Sequence, residues 1–295
     1  MAKKSSAKKG RSRVKRKHPV SPTPDKGTSV QNEHKDRLFT FIFKNKRKLL
    51  QLYNALNNTS YQDTRLLTIT TLENVLYISY YNDVSFLICG MMCLYEHQST
   101  WNPNMPLRGL LYFARLYSDY LHSDAYNLYG TKRISLPMPQ YIVFYNGMDA
   151  HPDEEILKLS DAYKLPEGVD RDSFDPILEC KVRMLNINYG KNRELMEKCR
   201  PLMEYSYFIH CIRQYLAKGC TPEQAMDCAV KQCMKEDILT DVLRVHRKEV
   251  VRMFLEDFDE EYYKKALKKR VLKKDSTMAL TNATPSIRSW LKTIA

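Results

Sequence analysis

The sequence contains no apolar run approaching the ~18 residues that a membrane-spanning helix needs, so no membrane partner is expected. Its N-terminus is cationic, but no apolar segment follows, which excludes the pattern of a secretory signal. There is no C-x-x-C pair, and no Cys/His spacing of the kind that builds a zinc finger or ribbon. Internal repeats are absent as well, which argues against a solenoid or propeller. Acidic residues are in deficit: 34 Asp and Glu face 47 Lys and Arg, for a net charge of +13.

What is present has the balance of a soluble globular protein, with 43% hydrophobic and 27% charged residues in 295. That length suits one or two domains with a real core. The eight cysteines (Cys89, Cys93, Cys180, Cys199, Cys211, Cys220, Cys228, Cys233) fall mostly at apolar positions of expected strands and helices. A free thiol packs there as a small hydrophobe. They read as reduced, and a cytoplasmic setting is expected.

The charge is unevenly spread. Residues 1–35 hold eleven Lys and Arg against Asp25 and Glu33, a net +9 that leaves +4 for the rest. Residues 1–33 are rich in Lys, Arg, Ser and Pro with almost nothing large and apolar, so a disordered tail is expected there. A polybasic tail, here including Lys15, Arg16 and Lys17, suits DNA or RNA phosphates through counterion release, without reading sequence. The alternative is a solvated leader with no partner.

From Asp36 onward the pattern becomes ordered. Leu38, Phe39, Ile42, Phe43, Leu49, Leu50, Tyr53 and Leu56 recur at helical spacing and predict one or two amphipathic helices, ended by Asn57-Asn58. Residues 66–80 favour strand. Leu107, Leu110, Leu111, Ala114, Tyr117 and Leu121 predict the core stripe of a later helix, with Arg108, Tyr112, Arg115 and Asp119 on another face. Tyr141 to Tyr145 reads as a short buried strand, and residues 177–186 as an amphipathic one. The remainder is helical: one long helix over 194–218, a second opened by Thr221-Pro222-Glu223, and a third over 241–255.

Residues 82–98 carry the most information. Two apolar, strand-like runs flank Cys89-Gly90, which predicts a β-hairpin with a two-residue turn. Ile88 then pairs with Met91, and Asp83 falls opposite Glu96. Directly opposed residues share a face with Cβ atoms roughly 5 Å apart, and like charges there repel. A positive group should sit between them, and a divalent metal is the natural candidate. Gln98 projects on the same face, two residues on, and His97 on the other. Both hairpin faces are apolar near the turn, with Val84, Phe86 and Ile88 on one and Leu87, Met92 and Leu94 on the other. Such strands belong to a sheet covered by helices on both sides. Removing one charge from the acidic pair should leave the metal-free protein as stable or slightly more so. Glu73 is a further acidic candidate from the neighbouring strand, and surface placement is the competing reading for it.

The segments Asn82-Asp83-Val84-Ser85-Phe86, Tyr95-Glu96-His97-Gln98-Ser99-Thr100, Asn102-Pro103-Asn104-Met105-Pro106-Leu107-Arg108, Tyr141–Gly147 and Met184–Gly190 together resemble the Rpn-type recombination-promoting nuclease/transposase family, a branch of the PD-(D/E)XK nucleases. The likeness spans roughly residues 35–263. It implies an α/β, restriction-endonuclease-like core, a mixed sheet flanked by helices in the order α-β-β-β-α-β, followed by a mostly helical C-terminal region. It implies divisions at 1–33 (basic tail), 34–190 (nuclease-like domain), 191–263 (helical region) and 264–295 (basic tail). Asp83 matches the family's metal-binding Asp, Glu96 its second acid, and Gln98 the position usually held by Lys. The implied activity is Mg²⁺- or Mn²⁺-dependent hydrolysis of DNA phosphodiesters, associated with recombination or transposition. Asp83, Glu96 and Gln98 would be catalytic, with Arg108, Arg115 and the basic tail holding DNA. Cutting both strands would take two such sites, one arrangement of which is a homodimer. The competing readings are a catalytically weak or inactive DNA-binding protein, and an interaction protein that works through its C-terminal helices.

Overall fold

Two helices begin the described chain because its first apolar stripe is interrupted at Asn45. In the computed structural model, which describes residues 37–71, 83–123, 126–170 and 173–255, α1 spans Arg37–Phe43 and α2 Lys46–Asn57. The Asn45 side chain accepts from the amides of Arg47 and Lys48 at 3.0 and 3.3 Å, satisfying donors that a helix start leaves open. Asn58 closes α2 in the left-handed region, with φ 53°. The predicted apolar positions Leu38, Phe39, Ile42, Phe43, Leu49, Leu50 and Tyr53 are all buried.

The strands are β1 (Thr68–Ile69), β2 (Val84–Ile88), β3 (Met91–Gln98), β4 (Met138–Tyr145), β5 (Glu154–Lys158) and β6 (Lys181–Asn186). They form one mixed six-stranded sheet in the order β1-β2-β3-β4-β6-β5. β1 pairs antiparallel with β2 and β2 with β3; β3, β4 and β6 are parallel, and β5 returns antiparallel along β6. Helix α3 (Met105–Ser123) connects parallel β3 and β4. The chain is thus an α/β protein with a helical C-terminal region. Of the strand expected over 66–80, Thr68–Ile69 is observed; residues 72–82, with Glu73, lie outside the described residues. So do residues 1–36, which include Lys15, Arg16 and Lys17, and 256–295.

The hairpin has the predicted register. Ile88 pairs with Met91, Leu87 with Met92 and Val84 with Tyr95. Cys89 and Gly90 both have positive φ, 45° and 80°, as a type I′ turn requires of its two central residues. Gly90 takes that conformation without cost; Cys89 does not.

Side chains alternate across the sheet into two cores. Phe86, Tyr95 and Phe144 face α1, α2 and the C-terminal helices. Met92, Leu94, Tyr141, Val143 and Met184 face α3. Burial on both sides explains why β3 and β4 read as near-continuous apolar runs.

Three expectations are corrected. The helix predicted over 194–218 is two helices, α4 (Arg193–Lys198) and α5 (Arg200–Ala217). Pro201 lacks an amide hydrogen and its ring would strike a carbonyl one turn back, so no helix continues through it. Strand β6 begins at Lys181 rather than near 177: just before it the Glu179 carboxylate accepts from the amides of Leu159, Ser160 and Cys180 and ties the segment to residues 159–160. The third is the buried face of α3. Leu107 and Leu111 are exposed, and Met105, Gly109, Tyr112, Phe113 and Leu116 are buried. A Cβ at residue 109 would come within 2.4 Å of the Tyr141 ring, so only glycine lets α3 lie this close to β4.

The C-terminal helices follow their signals. α6 (Pro222–Lys235) starts at proline behind a capping box between Thr221 and Gln224. A last helix, α7, runs over 240–255. Among the described residues, no helix is long and apolar enough to cross a membrane.

Candidate active site

The site is built by the hairpin register and by the rotation of α3. Continuing the pairing beyond Val84 and Tyr95 sets Asp83 against Glu96, at the end of the hairpin away from its turn. Both lie on the α3 side of the sheet, as does Gln98, the last residue of β3, which is 6% exposed. The three predicted residues are therefore brought together. His97 points to the opposite face, where its ring packs between Phe39 and Tyr205 and its Nε2 lies 3.1 Å from the Tyr205 hydroxyl.

Glu96 is 1% exposed. A buried carboxylate needs hydrogen-bond donors and a compensating charge. Tyr141, on the neighbouring strand, donates its hydroxyl to Oε2 at 2.7 Å. Arg108, on α3, approaches Oε1 at 3.3 Å and also donates to the Tyr112 hydroxyl at 2.9 Å. The positive group against Glu96 is thus Arg108. Sequence reasoning set Arg108 aside for DNA phosphate; the structure turns it inward while leaving its side chain 31% exposed.

Burial pushes the Glu96 carboxyl up from its ordinary value, against the opposing effects of the Arg108 charge and the Tyr141 and Tyr112 hydroxyls. Burial is the largest single effect and would lower Arg108, but the Glu96 charge together with Tyr112 and Tyr141 outweighs it and holds the guanidinium above its usual value. Burial and the same carboxylate push the Tyr112 and Tyr141 phenols upward. Asp83 is held differently: its Oδ2 accepts the backbone amide of His97 at 2.5 Å, across the hairpin. Its charge also reaches Tyr112 and adds to the upward push on that phenol.

The other predicted nucleic-acid residue among those described, Arg115, does not join this cluster. It forms an exposed pair with Asp119 at 3.0 Å, one turn along α3. Sequence reasoning missed Tyr141 as a site residue, since a tyrosine in a buried strand carries no signal beyond its apolar context. It also missed a polar clamp at the ends of β4 and β6. Arg213 of α5 donates to Asn146 Oδ1 at 2.8 Å and to Asn188 Oδ1 at 2.7 Å, and also to the Asn146 carbonyl. The Asn146 amide in turn donates to the Gln98 carbonyl at 2.9 Å, so the clamp fixes the end of β3.

Among the described residues, no group of three or more His, Cys, Asp or Glu could hold a metal ion. The donors at Asp83 and Glu96 are carboxylate oxygens without thiolate or imidazole. That set fits Mg²⁺ or Mn²⁺, which are held through one or two carboxylates with water completing the shell, and does not fit zinc. A metal here would compete with Arg108 for Glu96. No family model, curated protein or solved structure matches this chain.

Proposed function

We propose that this protein is a metal-dependent DNA endonuclease acting at the open end of the β2–β3 hairpin. The observation that carries the reading is a buried Glu96 whose carboxyl is pushed up by burial, with Asp83 one step beyond the last hairpin pair, Val84 with Tyr95, and bonded to the His97 amide next to Glu96. Buried, perturbed carboxylates concentrate at functional sites. The order helix, three strands, helix, strand, with an antiparallel hairpin followed by a parallel crossover, supports assignment to the restriction-endonuclease-like fold.

In this reading Asp83 and Glu96 hold Mg²⁺ or Mn²⁺. When bound, such an ion supplies Lewis-acid polarisation of a phosphate oxygen and a more acidic water. The chain's own residues do the rest. Tyr141 and Arg108 bond the buried Glu96 carboxyl and oppose the effect of burial on it, and the His97 amide fixes the direction of the Asp83 carboxylate. Gln98 orients water by hydrogen bonding; being neutral, it adds no charge. Arg108 turns from Glu96 to a phosphate oxygen as substrate arrives. The basic residues of 1–33, Lys15, Arg16 and Lys17 among them, and exposed Arg115 hold the DNA backbone. An association with recombination or transposition, action as a homodimer and a cytoplasmic location belong to the same proposal.

A second reading is favoured by one observation: Arg108 already neutralises Glu96, and Gln98 carries no charge. That arrangement suits a DNA-binding protein with little or no catalysis. Supercoiled plasmid incubated with and without Mg²⁺ or Mn²⁺ separates the two. Divalent-dependent nicking that disappears in Asp83→Ala and in Glu96→Ala, with DNA binding retained, supports the nuclease. Salt-sensitive binding without cleavage under any divalent ion supports the second reading. Deleting residues 1–33 should lower the salt slope of binding by about 0.9 for each phosphate the tail had neutralised.

A further inference from the structure

We infer that strand β5 is a docking edge for a second copy of this chain, which pairs with it antiparallel about a two-fold axis at Ile156. This supplies a surface for the homodimer named above but does not rest on DNA cleavage, and its test reads mass rather than activity.

The edge is open. Among the described residues, β5 is the last strand of the sheet and pairs with β6 on one side only. The Asn186 amide donates to the Asp153 carbonyl at 2.8 Å, and the Leu159 amide to the Cys180 carbonyl at 2.9 Å. Backbone groups alternate in direction along an antiparallel strand, so those of residues 153, 155, 157 and 159 turn toward β6. Those of Glu154, Ile156 and Lys158 turn outward, and all three residues are exposed, Ile156 by 46%. An outward row of strand donors and acceptors is a template for another strand.

The sequence of β5 selects which strand. Reversed against itself, Glu154-Glu155-Ile156-Leu157-Lys158 sets Glu154 opposite the partner's Lys158 at each end and Ile156 opposite the partner's Ile156. Directly opposed side chains share a face, and an opposite-charge or β-branched pair there contributes about 0.2–1 kcal/mol. These positions are also the ones with outward backbone groups, so each opposed pair exchanges two N–H···O bonds. A slip of two residues in either direction sets Ile156 against a charge. Charges ordinarily blunt an edge strand against chance pairing; here they match one register of one partner. Glu154 holds Arg183 at 2.7 Å, with both side chains 40% exposed. Lys158 forms no ion pair among the described residues and is available to the partner's Glu154. Two-fold symmetry makes every such contact twice. Apolar surface continues past the Lys158 end of the strand. There the Tyr163 hydroxyl donates to the Leu178 carbonyl at 2.7 Å, and Leu178 and Ile177 are exposed.

The test is sedimentation equilibrium of the full-length, nucleic-acid-free protein at low salt over about 1–200 µM. A seam of five residues is smaller than a standard interface, so a monomer–dimer equilibrium in the micromolar range is expected. It should weaken about threefold or more in about 0.5 M salt, which screens exposed pairs. Lys158→Glu and Glu154→Lys should each weaken it about tenfold or more, because each sets like charges opposite one another at both ends. Mixing the two variants in equal amounts should restore association, since both acids of one copy then face both lysines of the other. That recovery separates a lost contact from a misfolded variant. A monomer at every concentration overturns the inference. A dimer that neither substitution weakens is built on another surface and also overturns it. So does a mixture that associates no better than its two components alone.

Discussion

The Tyr141 hydroxyl reaches across from β4 to donate to Glu96 Oε2 at 2.7 Å, and both residues are buried. The phenol is one of two groups that make a carboxylate tolerable at the centre of the sheet, the other being Arg108. Tyr141→Phe keeps the ring against Gly109 and deletes only the donor. It should cost about 1.5–3 kcal/mol in urea denaturation at neutral pH, the range for a hydrogen bond to a charged group. A cost near zero would mean that Arg108 and water satisfy Glu96 unaided.

Glu96 should also leave a mark on the pH dependence of stability. Its folded carboxyl is pushed above the ordinary value of 4.5, so the folded state holds the proton more tightly than the unfolded chain. The contribution is therefore complete below 4.5 and is lost as pH rises through the folded value. Glu96→Gln removes this dependence. The stability of the variant relative to wild type should climb as pH increases above 4.5, and a difference independent of pH would contradict the upward shift.

Asp83 calls for a comparison of two variants without metal. Charge repulsion alone predicts that neutralising Asp83 leaves the fold as stable or more so. The hydrogen bond from the His97 amide to Asp83 Oδ2 adds an opposing effect that the register does not reveal. Asp83→Asn retains an acceptor oxygen and should stay close to wild type. Asp83→Ala strands the amide and should cost about 1–2 kcal/mol. Equal melting temperatures for the two variants would show that the hydrogen bond contributes nothing.

All eight cysteines are free, and their reactivity should separate them. Cys89 is exposed at the turn and should label first with a disulfide reagent. Cys93 and Cys199 are buried, and burial pushes both thiols up to about 12. Cys180 is pushed up to about 11 by burial and by Glu179. Since the thiolate is the reactive form, these three should label only slowly before unfolding. Labelling Cys93 as fast as Cys89 would show that the hairpin opens readily.

The hairpin and its paired acids were legible because two short-range rules suffice: a dipeptide that accepts positive φ, and a side-chain period of two. The first two helices were legible for a similar reason, a strong apolar stripe. Helix α3 was not. Hydrophobicity assigns Leu107 and Leu111 to the core, whereas the need of a buried carboxylate on another element draws Arg108 and Tyr112 inward. That demand spans chain segments and leaves no local pattern. The Arg213 clamp is invisible for the same reason, since Asn146, Asn188 and Arg213 are distant in sequence. The break at Cys199 was legible in principle: Pro201 sits within the apparent helix, and the apolar periodicity on either side of it obscured the stop.

The double burial of β3 makes the candidate site a matter of parity. One residue inserted between Met92 and Tyr95 would exchange the faces of everything after it. Glu96 would meet Phe39 and Tyr205, and His97 would meet Arg108 and Tyr141. Neither core accepts the other's side chains, so the strand cannot drift to a neighbouring frame. Substitution can silence the acidic pair in place. Length variation within the strand forfeits the sheet along with it.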